Sequence, residues 1–594
     1  MKNWNTNIVI ILLLLISLPL ACANSEEKGC KEEDSVETPD TDDSVPLGKV
    51  KFFPMSKNVA SNVAVINTIR WSEAEKVTAY SLQGLVNREK VCIYILQPGD
   101  RTAYNFYKSN GYMPNETIET NIWKVAKQFI QYFDGFVAYD PDDFHQIDLA
   151  TNISGVENRL MIPIDKIDYV KNSFGTNVDI LDLRTLGLNS LVEMHDWYIK
   201  NIFPKQNKEV LALGSNVPHH NVYRDYAIAF KIPVFWLPGK ADADYDANYE
   251  KKLFKMLENT PTNIPVLGFW PSTYNGKTYG YSEYQGVGMA GQYGKFTVVN
   301  DFFGNYSFHS GLKPWSDKYE QTKVRKKKMH TYDPQKKYVA LIMIESGDAI
   351  GYMQGLFWER QWDQEHRGDV PVSYGINPSM QYLLPAQLRY LYDTATENNF
   401  FFCSISGAGY CYPFEGYGSR TCNPQKTIDS YFKQTENNMK QMDLDMLGLY
   451  THPAKFLDNK DRNLLNHIAK VAPSIKSFIL GMHHVKGFDA NNSHAMINQN
   501  ASWHYTITNL LHLEEELPVT EWDNRNYDKK AVDYLIGEIK KASTNGQFIQ
   551  AMFYSWTYGP RRLYAVKEQL EKEGYVFVTL NEFDYLYRLW KTDN

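Results

Sequence analysis

Carboxylates, imidazoles and aromatic rings recur where apolar runs of this chain stop. Asp348 follows the run from Tyr338 to Ile344. Glu415 stands just beyond Gly407-Ala408-Gly409-Tyr410-Cys411-Tyr412-Pro413, which itself follows the run from Phe400 to Ile405. His452 follows Leu447 to Tyr450, and His483 and His484 follow Phe478 to Gly481. Trp503, Trp556 and Glu582 stand in or after the later apolar runs. Hydrolysis of a glycosidic bond needs two carboxyl groups, one acting as acid and the other as base or nucleophile. Asp348 and Glu582 come from the first and last of these runs, which are neighbours if the strands close into a barrel. They are the expected acid/base pair, with Glu415 in reserve. Tyr410, Tyr412, Trp503, Trp556, His484 and His452 are expected to contact substrate, since Tyr and Trp offer an apolar face with a polar tip. Competing roles are Asp348 as a helix cap and the rings as core packing.

The same histidines with Asp348 could activate water on a divalent metal. The strand order resembles the distorted barrels of polysaccharide deacetylases, but no His pair at helical spacing occurs at the right place. No metal or other cofactor is therefore expected under the leading reading. A third reading is a surface protein that binds glycans without cleaving them.

Gly407 to Pro413 resembles the defining motif of the GxGYxYP family of bacterial proteins, assigned to glycoside hydrolysis. The match holds at every fixed position. Ser81-Leu82-Gln83-Gly84-Leu85-Val86-Asn87-Arg88 resembles the N-terminal region of that family. The resemblance implies a polysaccharide or oligosaccharide substrate. It also implies an Asp-Gly-Asp-Asn-like run at the first strand end, where this chain has Ser346-Gly347-Asp348-Ala349. One carboxylate and one amide are missing from that pattern.

Strand-like and helix-like stretches alternate along most of the chain, which predicts parallel α/β layers. From 330 to 594 about seven β/α units predict a barrel or near-barrel, whose chemistry collects at the C-terminal strand ends. From 50 to 329 smaller α/β layers are expected. Tyr274 to Tyr293, rich in Gly and Tyr, reads as a loop excursion at the rim of a cleft. Lys323 to Lys328 reads as a solvated hinge between the two regions.

The 594 residues suffice for several domains. A net charge of -7 gives no reason to expect nucleic acid. Aromatic residues make up 14% of the chain, a tilt toward sugar binding. Residues 1–22 form a targeting segment with an apolar run from Ile8 to Leu15. Cys22 resembles the lipidated cysteine of bacterial lipoproteins, with plain cleavage after Ala23 as the alternative. Residues 23–49 form an acidic tether poor in apolar side chains, expected to be disordered. Together these predict an outer-membrane lipoprotein on the cell surface, anchored at Cys22. Cys403 is expected to be a buried thiol, and a bridge between Cys411 and Cys422 is possible in an exported protein.

Overall fold

The computed structural model describes residues 53–593 apart from 57, 98, 215–221, 271, 275–276, 280, 301–302, 315, 317, 345–346, 348, 451–456, 482–491 and 510–524. The targeting segment, Cys22 and the tether lie outside the described residues.

Among the described residues the N-terminal region contains three small parallel sheets. In the first, β1 (Asn58–Asn67) lies between β2 (Lys90–Leu96) and β3 (Asn115–Glu119). In the second, β4 (Gly135–Tyr139) lies between β5 (Arg159–Pro163) and β6 (Ile180–Asp182). The third contains β7 (Leu211–Leu213), β8 (Val234–Phe235), β9 (Ile264–Gly268) and β12 (Lys295–Val299) in the order β12-β9-β7-β8. A hairpin of β10 (Ser272–Tyr274) and β11 (Lys277–Tyr279) projects between β9 and β12. The supposed loop excursion also holds a helix, Glu283–Gln292, because Ser282 and Gln285 form a capping box.

The helix Glu73–Asn87 and Arg88 tie these layers together, and the stretch Ser81 to Arg88 does so through its polar groups. Gln83 donates to the Ile93 carbonyl at 3.0 Å and to Asn305 at 2.7 Å. Arg88 donates to the carbonyls of Ala229, Gly155 and Ile228, each at 2.7 Å. A Cβ on Gly84 would lie 2.5 Å from the Asp225 carbonyl, so only glycine fits that helix crossing. This segment is structural. Its neighbours Asp100 and Asp225 are fully buried, and burial raises their carboxyls to about 7 and about 6. Unfolded aspartate titrates near 3.9, so between these values the folded chain holds protons that the unfolded chain lacks. The resulting stability is complete below about pH 4 and is lost as pH rises through 6 to 7, at about 1.4 kcal/mol per pH unit for each proton. Thermal unfolding is therefore expected to come several degrees later at pH 5 than at pH 8. An equal or later midpoint at pH 8 would contradict this.

The C-terminal region is one curled, half-barrel sheet, almost entirely parallel. Its strands are β13 (Lys337–Met343), β14 (Val372–Ile376), β15 (Asn399–Cys403), β16 (Met446–Leu449), β17 (Ser477–Leu480), β18 (His494–Asn498), β19 (Ala501–Tyr505), β20 (Ile507–Asn509), β21 (Phe548–Phe553) and β22 (Tyr575–Phe577). The order is β18-β19-β17-β16-β15-β14-β13-β21-β20, with β22 also beside β13. Only Thr506 separates β19, which pairs with β17, from β20, which pairs with β21. Both faces are apolar, as buried parallel sheets require. Tyr338, Ala340 and Ile342 enter one core cluster, while Val339, Leu341 and Met343 enter another.

The basic stretch is no hinge. Arg325 donates to Asp443 at 2.9 Å and to Asp445 at 3.0 Å. Lys323 caps the Asp393 and Ala395 carbonyls, and Lys327 donates to Asn398. These partners all belong to the C-terminal region, so the segment is strapped to it. Cys403 and Cys411 are free buried thiols, while Cys422 is disulfide-bonded, so the supposed Cys411–Cys422 bridge is absent.

Candidate functional site

The tyrosine motif begins where the large sheet is most weakly paired. β15 and β16 share a single partner pair, Cys403 with Leu447. The chain leaves β15 there and turns through Gly407 at φ +131°, a conformation that favours glycine. The loop then crosses to the third small sheet. Tyr410 and Thr297 of β12 exchange two backbone hydrogen bonds, each 2.8 Å. A Cβ on Gly409 would lie 2.5 Å from the Phe296 ring and 2.8 Å from the Thr297 carbonyl. Gly409 is thus what lets the loop lie against β12. Gly409→Ala is expected to destabilise this junction by about 1–3 kcal/mol, the usual range for overpacking, and to expose the loop to limited proteolysis. An unchanged digestion pattern and melting curve would contradict it.

This crossing brings a carboxylic acid to the motif. Glu283 opens the helix Glu283–Gln292 and accepts from the Tyr410 hydroxyl at 2.8 Å. The Tyr410 and Tyr412 hydroxyls lie 2.6 Å apart. With Tyr410 donating to Glu283, Tyr412 donates to Tyr410, which completes a relay of two phenols ending on the carboxylate. Burial raises the Glu283 carboxyl above its ordinary range, against the lowering effect of the Tyr410 hydrogen bond. Tyr284, the next residue, donates to Glu415. Its ring lies 5.0 Å from that of Tyr412. Burial raises the Tyr412 hydroxyl strongly, and the charges of both Glu283 and Glu415 add to that shift. Two carboxyl groups therefore flank one tyrosine. Tyr450, at the end of β16, completes the ring cluster, 5.0 Å from Tyr410.

The edge of β12 also reaches the first strand end of the large sheet. Val299 bridges Ala349, just as Thr297 bridges Tyr410. β9 occupies the other edge of β12, so both bridges lie on the same edge, two residues or about 7 Å apart. The motif and the segment after β13 thus converge. Asp348, His452 and His484 themselves lie outside the described residues.

Other expected site residues fall elsewhere. Glu582 accepts from the His330 backbone at 2.6 Å and pairs with the His330 ring at 2.7 Å. It is buried, and its charge acts on Tyr338 near the start of β13. The motif leaves the opposite, C-terminal end of the same sheet. Glu582 is therefore a structural hydrogen-bond partner of His330, placed away from the motif. The reason is that β22 pairs with only the first residues of β13, so the chain turns into its final helix near the wrong end. Trp503 is buried on the helix-covered face, with Arg462 5.1 Å above its ring. Trp556 is half-buried, 4.9 Å from Arg360 and 5.3 Å from Tyr352. Tyr410 and Tyr412 are buried too, so they act on Glu283 through their hydroxyls rather than as open stacking faces. Glu283 carried no signal in the sequence, because only the fold brings it 127 positions along the chain to Tyr410. Among the described residues no group of three or more His, Cys, Asp or Glu side chains is gathered as a metal site.

Comparison with known proteins agrees with this architecture. Residues 335–588 match the model described as "GxGYxYP putative glycoside hydrolase C-terminal domain". Residues 199–311 match the GxGYxYP third domain, and residues 62–131 match the first domain. None of the curated proteins matches the sequence. A crystal structure titled as that of a putative hydrolase from Bacteroides thetaiotaomicron VPI-5482 superposes with a TM-score of 0.71. The match covers 92% of this chain and 98% of that one at 18% identity, so it speaks to the fold alone. The motif, the first-domain segment and the third-domain strand that receives the motif all fall in the matched regions, and the chain belongs to the GxGYxYP family.

Proposed function

We propose that the protein is a glycoside hydrolase acting on a polysaccharide or oligosaccharide, with Glu283 as proton donor. The observation that carries this reading is the raised, half-buried Glu283 carboxyl held by the Tyr410–Tyr412 relay at the C-terminal strand ends. A glycosidase acid must still hold its proton near neutral pH, which burial favours. Glu415 is the second carboxylate on the described residues, held by Tyr284 on the far side of Tyr412. Asp348, next to Ala349, is the other candidate for that role. In this reading the curled sheet works as an incomplete barrel, with β12 of the third domain bridged to two of its strand-end segments. The acid thus comes from the third domain and the tyrosines that tune it from the C-terminal domain. The targeting segment and Cys22 support action at the cell surface.

The test is a glycan screen with the purified protein, followed by Glu283→Gln, Glu415→Gln and Asp348→Asn on whatever is cleaved. The reading expects Glu283→Gln to fall furthest on glycosides with poor leaving groups. Full activity of Glu283→Gln on such substrates would remove Glu283 from the mechanism.

A further inference from the structure

We infer that Tyr284 is the stacking platform of a saccharide subsite just outside Glu283, and that it receives a neutral sugar ring. The inference rests on the reading of Glu283 as the proton donor. Tyr284 is 45% exposed, one of few large apolar side chains so open to solvent. It is nevertheless held in place. Its hydroxyl donates to Glu415, and its ring rests against Tyr412 at 5.0 Å with the planes at 47°. An exposed aromatic side chain fixed at both ends loses little freedom when a sugar stacks on it.

The helix beside it is shaped to leave room. Gly288 stands one turn after Tyr284, on the same helix face. A Cβ at Gly288 would meet only the Tyr412 ring, at 3.9 Å. Glycine within a helix lowers its stability by about 1 kcal/mol relative to alanine, and no close neighbour forbids a side chain here. The open shelf beside Tyr284 and Tyr412 is a space that a larger residue would fill. The C–H face of a pyranose suits the Tyr284 ring, and the Glu415 carboxylate can accept from sugar hydroxyls. Glu415 is held against the platform by the Tyr284 hydroxyl, so an anionic sugar would meet a carboxylate there, whereas a neutral sugar would not be repelled.

Affinity electrophoresis of the full chain tests this, in gels containing soluble starch, glucomannan, arabinoxylan or polygalacturonate. The probed variants are Tyr284→Ala, Tyr284→Phe, Gly288→Leu and Glu283→Gln. At least one neutral polysaccharide should retard the wild type and Glu283→Gln alike. Tyr284→Ala and Gly288→Leu should weaken that binding about tenfold, the equivalent of one lost aromatic stacking contact, while Tyr284→Phe keeps most of it. Gly288→Leu should fold at least as well as wild type, which separates lost binding from lost structure. The proposal fails if Tyr284→Ala and Gly288→Leu bind like wild type, if polygalacturonate binds best, or if no neutral polysaccharide is bound. Binding that follows the prediction without cleavage by the wild type would keep the platform and remove the catalytic reading of Glu283.

Discussion

Glu283→Gln is expected to lower turnover by about 10²–10⁴-fold, the usual contribution of a positioned general acid. The variant should fold normally. Glutamine keeps the shape of the side chain, and its amide oxygen can still accept from Tyr410. What it loses is the proton to be delivered to the departing sugar oxygen. The pH dependence follows from the direction of the Glu283 shift. Burial raises this carboxyl, so its protonated form persists to higher pH than in an ordinary glutamate. Activity should be retained while that proton is present and should fall as pH rises through the raised value. In Tyr410→Phe the carboxylate loses a hydrogen bond that favours its charged form. The alkaline limb of the profile should therefore move to higher pH. A limb that stays fixed in Tyr410→Phe would disconnect the motif from the acid.

The second large effect concerns stability. Asp584, near the start of the final helix, pairs with His504 of β19 at 2.7 Å and with Arg588 at 2.7 Å. It also accepts from the Ser502 hydroxyl. His504 is fully buried and meets His494 of β18 at 3.0 Å. Burial alone would raise the Asp584 carboxyl, but hydrogen bonds and charge from His504 and Arg588 hold it below its ordinary value. Its contribution is therefore present above the unfolded value and is lost as pH falls through the lowered one. Asp584→Asn is expected to destabilise the C-terminal region by about 1–3 kcal/mol, because the amide cannot serve His504, Ser502 and Arg588 together as the buried carboxylate does. The double variant Asp584→Asn/His504→Asn should lose less than the sum of the two single changes. Denaturant unfolding of the four proteins measures this, and strict additivity would show that the two groups do not act as a pair.

These two carboxylates illustrate what the sequence made legible. The apolar runs of β13, β15, β16, β17 and β21 are legible in the sequence, because runs such as Phe400 to Cys403 and Phe548 to Phe553 are buried on both faces. β14 was not legible. Its Ser373 and Gly375 break the apolar run, and Gly375 must be small because a Cβ there would meet Ser404 at 2.7 Å. The stretch around Trp503 holds two strands, β19 and β20, split at Thr506 so that they pair with different neighbours. Strand-end position led toward Glu582, yet the short β22 delivers it to the other end of the sheet. The motif was visible as Gly407 to Pro413, but its role was not. Tyrosines in a loop read as open sugar contacts, whereas the crossing to β12 buries them and turns their hydroxyls toward Glu283. Glu283 itself sits in a stretch that reads as loop, and nothing local marks it. Its burial and its hydrogen bond exist only once two domains meet.

Leaving-group dependence of Glu283→Gln is the most direct measurement of the central claim. Aryl glycosides of the sugar that the wild type cleaves would be compared across leaving groups from phenol to 2,4-dinitrophenol. A missing proton donor should abolish kcat/KM on the poor leaving groups and largely spare the best one, which departs without protonation. A uniform loss across the series, or none, would mean that the proton comes from another residue.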